Sequence, residues 1–285
     1  MRFLIAESEP AAARKKRRES VGRSSGETFL TRLQQLVPEA ACDRVKPADG
    51  ATHVPERSGL EAYDAVFLTG SPLHLHEDTP EAKREVEFMR AVFRSGTPAF
   101  GSCAGLQVAV VAAGGRVKAM GKRREAGFAR RIFLTSEGRS HPLLQGRPPV
   151  FDAPAIHSDE VAELPPGATL LASNAVTRVQ AAEVRHEGGV FWGVQYHPEI
   201  SLREVAAALR RQGSDLIEHE LARDELDVDT QAALVDALHR EPERLDLAWR
   251  LGLDEQVTDE AARMTELRNF VAHLVRPCHA ARGRS

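Results

Sequence analysis

The sequence predicts an α/β fold with a largely parallel central sheet, followed by a helical C-terminal segment. Two observations carry this. Up to about residue 212, short apolar or β-branched runs alternate with amphipathic stretches, the pattern of strands and helices packed in layers. Beyond Gly213 the periodicity is helical and no strand pattern is convincing. Charge changes at the same place: residues 213–285 hold 16 acids, nine arginines and no lysine, whereas residues 1–212 are weakly basic. The expected division is therefore 1–212 and a helical extension, 213–285.

In chain order, Arg2 to Ala6 reads as the first strand. Ser25 to Leu36 reads as a helix with Phe29, Leu30, Leu33 and Leu36 on one face. Tyr63 to Thr69 is a buried strand ended by Gly70-Ser71-Pro72. Thr79 caps a helix that has Pro80 in its first turn and Val86, Met89, Val92 and Phe93 as its apolar stripe. Pro98 to Ser102 is a strand, and Ala104 to Ala113 a helix stopped by Gly114-Gly115. Short strands then follow at Arg130 to Thr135, Val150 to Ile156, Thr169 to Ala172, Val179 to Arg185 and Val190 to Gln195, with a hairpin at Glu187-Gly188-Gly189. A helix from Ser201 to Arg211 closes this part. Helical spacing places Leu245, Leu247, Ala248, Leu251 and Leu253, then Met264, Leu267, Phe270, Val271 and Leu274, for packing against the α/β part. The alternative use of these residues is a homodimer or docking surface.

Hydrophobic residues make up 42% and charged residues 28% of the 285-residue chain, which excludes disorder; neither part is basic enough to suggest nucleic acid. No apolar run approaches the roughly 20 residues of a membrane span. Met1 to Glu7 lacks a preceding basic region and reads as a strand rather than a signal peptide. Cys42, Cys103 and Cys278 cannot all pair and show no metal-ligand spacing, so a reducing, cytoplasmic setting is expected. The basic run Arg14 to Arg18 could face solvent or recognise an acidic substrate.

The sharpest local signal is Gly101-Ser102-Cys103-Ala104-Gly105-Leu106-Gln107, a strand running directly into a helix through small residues that flank a cysteine. Such a turn exposes a nucleophile above the sheet. The unpaired N–H groups and dipole of the helix start favour a thiolate, and the Ala104 amide faces a developing oxyanion. A buried structural cysteine is the plainer alternative. A nucleophile needs an oriented base. In Gly193-Val194-Gln195-Tyr196-His197-Pro198-Glu199, residues two apart project to one side, so Glu199 can hold one imidazole nitrogen while the other faces Cys103. Pro198 stiffens that geometry.

These two motifs, about ninety residues apart, resemble those of the class I glutamine amidotransferases, and among them the glutaminase domain of GMP synthase. The resemblance covers roughly residues 1–212. It implies a flavodoxin-like three-layer sandwich in which Cys103 attacks a γ-carboxamide, His197 moves the proton and Glu199 holds His197. It further implies an oxyanion hole from the Gly70, Ser71 and Ala104 amides, with Gln107 against the substrate amino acid. Ile156-His157-Ser158-Asp159-Glu160-Val161 resembles the segment lining the far side of the pocket, where His157 is either a substrate contact or a loop histidine. No metal or organic cofactor is implied.

The pattern departs from GMP synthase in having no nucleotide-binding glycine loop after Gly213, so the chain is not expected to activate an acceptor itself. Ammonia would pass to a separate synthetase subunit, or the chain would hydrolyse another γ-glutamyl amine or peptide. The small Ala104 leaves room for a bulkier leaving group. A non-catalytic scaffold is a third reading, although it would be expected to have lost part of the triad. A redox-sensing Cys103 is a fourth, which leaves His197-Pro198-Glu199 without a purpose.

Overall fold

The computed structural model describes residues 1–50 and 57–283. Its strands are β1 (Arg2–Ala6), β2 (Ala41–Val45), β3 (Ala65–Leu68), β4 (Ala99–Ser102), β5 (Arg116–Ala119), β6 (Glu125–Leu134), β7 (Val150–His157), β8 (Asp159–Glu163), β9 (Ala168–Ser173), β10 (Ala181–His186) and β11 (Gly189–Val194). Nine of them form one sheet in the order β2-β1-β3-β4-β11-β10-β9-β6-β7, while β5 and β8 make a separate antiparallel ribbon. The run from β2 to β11 is parallel and the rest antiparallel. Parallel strands end on one edge, so the residues after β1, β3, β4 and β11 converge there.

Apolar side chains on both faces of the parallel half explain the three layers. Phe3, Phe67, Phe100 and Trp192 pack on one side with Phe29 and Leu33 of helix Ser25–Leu36. Leu4, Val66, Leu68 and Phe191 pack on the other with Met89, Val92 and Phe93 of helix Pro80–Ser95 and with helix Ala104–Ala112. Both long helices start on sequence signals. Ser24 and Glu27 form a reciprocal capping box, and Thr79 accepts from the Ala82 amide with Pro80 in the first turn.

The expected hairpin is present, with Glu187 and Gly188 both at positive φ (45° and 84°) and His186 opposite Gly189. Several strands differ from expectation. β6 starts at Glu125 rather than Arg130, because a bulge around Arg131 (φ 51°) interrupts its pairing with β7 and splits the pattern into two short runs. β2, β5 and β8 were not expected; their sequences ACDRV, RVKA and DEVAE are too polar to read as strands.

The C-terminal residues are helical and built into the same core. Leu267, Phe270, Val271 and Val275 pack with Phe67, Phe100 and Trp192, and the Phe270 ring lies 5.4 Å from that of Phe67. Helix Glu225–Arg240 packs on helix Leu202–Arg211 through Val228, Ala232 and Val235. Leu245 and Trp249 instead lie exposed. No helix among the described residues is long and apolar enough to cross a membrane.

Candidate active site

Cys103 sits between β4 and helix Ala104–Ala112 with φ 53° and ψ −111°, a conformation unfavourable for any residue with a Cβ. The turn is held by the Cys103 amide donating to Val194 O at 2.8 Å, which ties it to the end of β11. The flanking glycines are sterically required. A Cβ on Gly101 would lie 2.8 Å from the Gly105 carbonyl carbon, and one on Gly105 would lie 2.7 Å from Leu68 O. Strand, turn and helix are thus in backbone contact, and the cysteine is left at the strand-end edge.

His197 follows β11 and is fixed by its own amide donating to Pro154 O at 2.8 Å. Its Nδ1 meets Glu199 Oε1 at 2.7 Å, the pairing expected across Pro198. Glu199 is buried and held twice more: Ser102 Oγ donates to Oε1 at 3.0 Å, and Arg32 Nε donates to its carbonyl at 2.9 Å. Burial alone would lower the His197 pKa. The Glu199 carboxylate and the neighbouring Cys103 sulfur outweigh it and push the pKa up to about 10.

Gly70 follows β3 at the same edge. A Cβ there would be 2.7 Å from His197 Cε1 and 3.6 Å from the Cys103 Cβ, so the backbone itself forms the wall of the site. The Gly70 and Ser71 amides meet no acceptor among the described residues. The Ala104 amide, in the first helical turn, has no intrahelical partner by geometry. Gly70 and Ser71 border the same cavity as Cys103, and Ala104 follows Cys103 in the chain. Ser71 is held by its hydroxyl donating to Ser8 O at 2.9 Å.

Gln107, one turn into the helix, donates from Nε2 to Asp159 O at 3.0 Å and to Gln195 Oε1 at 3.2 Å. His157 is not a loop residue: it ends β7 and is buried, its Nδ1 2.9 Å from Asp159 O and its Nε2 2.7 Å from Glu125 Oε2. Glu125 is also bonded by Asn174 and Gln180, forming a polar network behind the wall.

Cys103, His197, Glu199, Gln107, His157, Gly70 and Ser71 all border one cavity of about 770 Å³. The basic run contributes too. It lies on helix Ala11–Val21, where Lys16 and Arg17 line the cavity and Arg17 pairs with Glu204 at 2.9 Å. Arg14 is buried against Asp49. That helix is therefore a packed wall, not wholly a solvated one. Arg124, Arg211 and Asp215 complete the rim. Sequence reasoning missed Ser102, Arg32 and Glu125 because each acts on a residue far away in the chain.

The fold and this arrangement define a class of enzyme. The glutamine amidotransferase class-I family model matches residues 33–214, and the chain belongs to that family. It is 38% identical over 221 residues to a γ-glutamyl-L-1-hydroxyisopropylamide hydrolase from a Pseudomonas species, covering 76% of this chain and 74% of that protein. It is 33% identical over 144 residues to GMP synthase of Leifsonia xyli, covering 50% of this chain but 27% of that longer protein. The fold is that of a glutamine amidotransferase from Thermotoga maritima (TM-score 0.64, 17% identity), with 96% of this chain and 98% of that one covered.

Proposed function

We propose that the chain hydrolyses γ-glutamyl amides through a covalent thioester on Cys103. The observation that carries this is a cysteine on a strained strand–helix turn, beside a carboxylate-held histidine, opening into a cavity of about 770 Å³. For attack the Cys103 proton passes to His197, whose raised pKa favours the charged ring. The thiolate attacks the γ-carbonyl carbon, and the oxygen gains charge facing the Gly70, Ser71 and Ala104 amides. Each such donor typically contributes about 3 kcal/mol to the transition state. The imidazolium gives its proton to the departing nitrogen, leaving a γ-glutamyl thioester. Water then attacks the thioester carbon as His197 takes its proton. The carbon–sulfur bond breaks, glutamate leaves, and the thiolate–imidazolium pair is restored. Glu199 keeps the ring oriented and stabilises its charged form, while Gln107 supports the far wall of the pocket.

Glutamine and larger γ-glutamyl amines share this chemistry and differ in the leaving group. One structural feature favours a substituted amine. The cavity is several times the volume of a glutamine side chain; Ala104, by contrast, is buried in the apolar core and does not line it, so its small size opens no room for the leaving group. Similarity over three-quarters of the chain to a hydrolase of a γ-glutamyl hydroxyalkylamide agrees with a substituted amine. In the other reading, ammonia from glutamine passes to a separate synthetase subunit. The test is incubation with glutamine and a panel of γ-glutamyl amines, following glutamate, ammonia and free amine against Cys103→Ala. Cysteine-dependent amine release supports the hydrolase, ammonia release alone supports a synthetase partner, and no turnover defeats both.

A further inference from the structure

Beside the catalytic groups, the cavity wall carries a cluster that the hydrolysis does not use. His74 Nδ1 lies 3.0 Å and His76 Nδ1 lies 3.1 Å from the same oxygen, Asp159 Oδ2. Candidate donor atoms of the three side chains all fall within 4.8 Å of one another. His74 and Asp159 border the cavity into which Cys103 opens.

Asp159 is the informative member. It is 5% exposed, and its second oxygen, Oδ1, is buried without a hydrogen-bond partner. Its ion-pair partners among the described residues are the two histidines, with no lysine or arginine. A buried carboxylate with one bare oxygen and no fixed cation is costly unless a positive charge joins it. The carboxylate is also rigidly placed. Its backbone carbonyl accepts from Gln107 and faces His157 Nδ1, and its residue pairs with Ala119 in the β5–β8 ribbon. The histidines come from the segment between Ser71 and the Thr79 cap, with side chains 44% and 28% exposed, so their rings can adjust.

We propose that His74, His76 and Asp159 form a binding site for a divalent first-row transition ion of the Zn²⁺ type on the cavity wall. Imidazole nitrogens with one carboxylate suit such ions rather than Mg²⁺ or Ca²⁺, which take mainly oxygen ligands. The spacing agrees. Zinc–ligand bonds of about 2.0–2.2 Å in a tetrahedron put neighbouring donors about 3.3 Å apart, close to the nitrogen–oxygen separations present here. Three protein donors leave at least one coordination position, open to water or to a carboxylate or amine group in the cavity. The other carboxylate–histidine cluster, Asp215, Glu218 and His219, lacks this character because Arg124 already pairs with Asp215.

Zinc also binds thiolate–imidazole pairs, so the test uses full-length Cys103→Ala protein. Zn²⁺ is titrated by calorimetry and Co²⁺ by visible absorption, in this background and with His74→Ala, His76→Gln or His219→Ala added. The expected result is one equivalent of Zn²⁺ and a Co²⁺ visible band. Affinity should fall roughly 100-fold or more on loss of either His74 or His76 and stay unchanged with His219→Ala. Since both histidines are partly exposed, far-UV circular dichroism should show both variants folded. Absence of saturable binding in the Cys103→Ala background, or affinity unaltered in both histidine variants, would overturn the proposal.

Discussion

The phenol of Tyr196 donates a 2.8 Å hydrogen bond to Glu266 Oε1, joining the residue before His197 to the C-terminal helices. Glu266 is fully buried and simultaneously receives Arg147, from Nε at 2.7 Å and from Nη2 at 2.8 Å. Burial and the neighbouring Glu266 charge raise the Tyr196 pKa well above the ordinary phenol value, so the group stays a donor. Breaking such a pair from one side leaves a buried guanidinium uncompensated. Glu266→Ala should cost about 3–5 kcal/mol, and Tyr196→Phe about 1 kcal/mol, read from urea unfolding midpoints.

Cys103 holds a backbone conformation that only glycine adopts without strain, and such strain costs on the order of 1–3 kcal/mol. The usual order of alanine and glycine should therefore invert at this position. Cys103→Gly should be more stable than Cys103→Ala by about 1 kcal/mol in parallel denaturation curves. Both variants should lose hydrolytic activity by roughly 1,000-fold or more.

Gly70→Ala places a carbon 2.7 Å from His197 Cε1, inside the contact distance. The imidazole must shift, taking its proton-transfer geometry with it. A fall of roughly 100-fold in kcat with a small change in unfolding midpoint is expected. A fall in stability matching the loss of activity would mean that the strand end, rather than the histidine, had moved.

The His197 pKa of about 10 lies above its ordinary value of 6.5, so the charged ring contributes to stability. That contribution is complete below about pH 6.5 and is lost as pH rises toward 10. The stability difference between wild type and His197→Gln should therefore shrink across this window in urea titrations. The same proton sets the basic limb of kcat/KM, which should fall near pH 10. Glu199→Gln should move that limb toward neutrality, because the carboxylate is the leading cause of the elevation.

Much of this site is legible in the sequence because its chemistry is local along the chain. The glycines around Cys103, and the two-residue spacing of His197 and Glu199, are statements about backbone geometry that a short stretch can make. The supports are different. Ser102 and Arg32 reach Glu199 from 97 and 167 residues away, and Arg147 reaches Glu266 across 119, so no window of sequence reveals them. The same applies to strands: β3 and β4 are fully buried and read clearly, whereas β2 and the β5–β8 ribbon alternate charges with few apolar residues. The His74-His76 pair carries no signal of its own along the chain, because its third member, Asp159, lies 85 and 83 residues away.

The cavity has two kinds of wall. Its floor is made of the backbone ends of β3 and β4 and the turn after β11, parts in direct contact where even a methyl group does not fit at Gly70, Gly101 or Gly105. The rest of its lining comes from elsewhere: Ala12, Ala13 and Lys16 of one helix, Ser158 between β7 and β8, and the side chains of Arg124, Arg211 and Asp215. A substitution at Ala12, Ala13 or Ser158 therefore reshapes the cavity while leaving its backbone floor in place, whereas any side chain added at Gly70, Gly101 or Gly105 must displace that floor or the His197 ring.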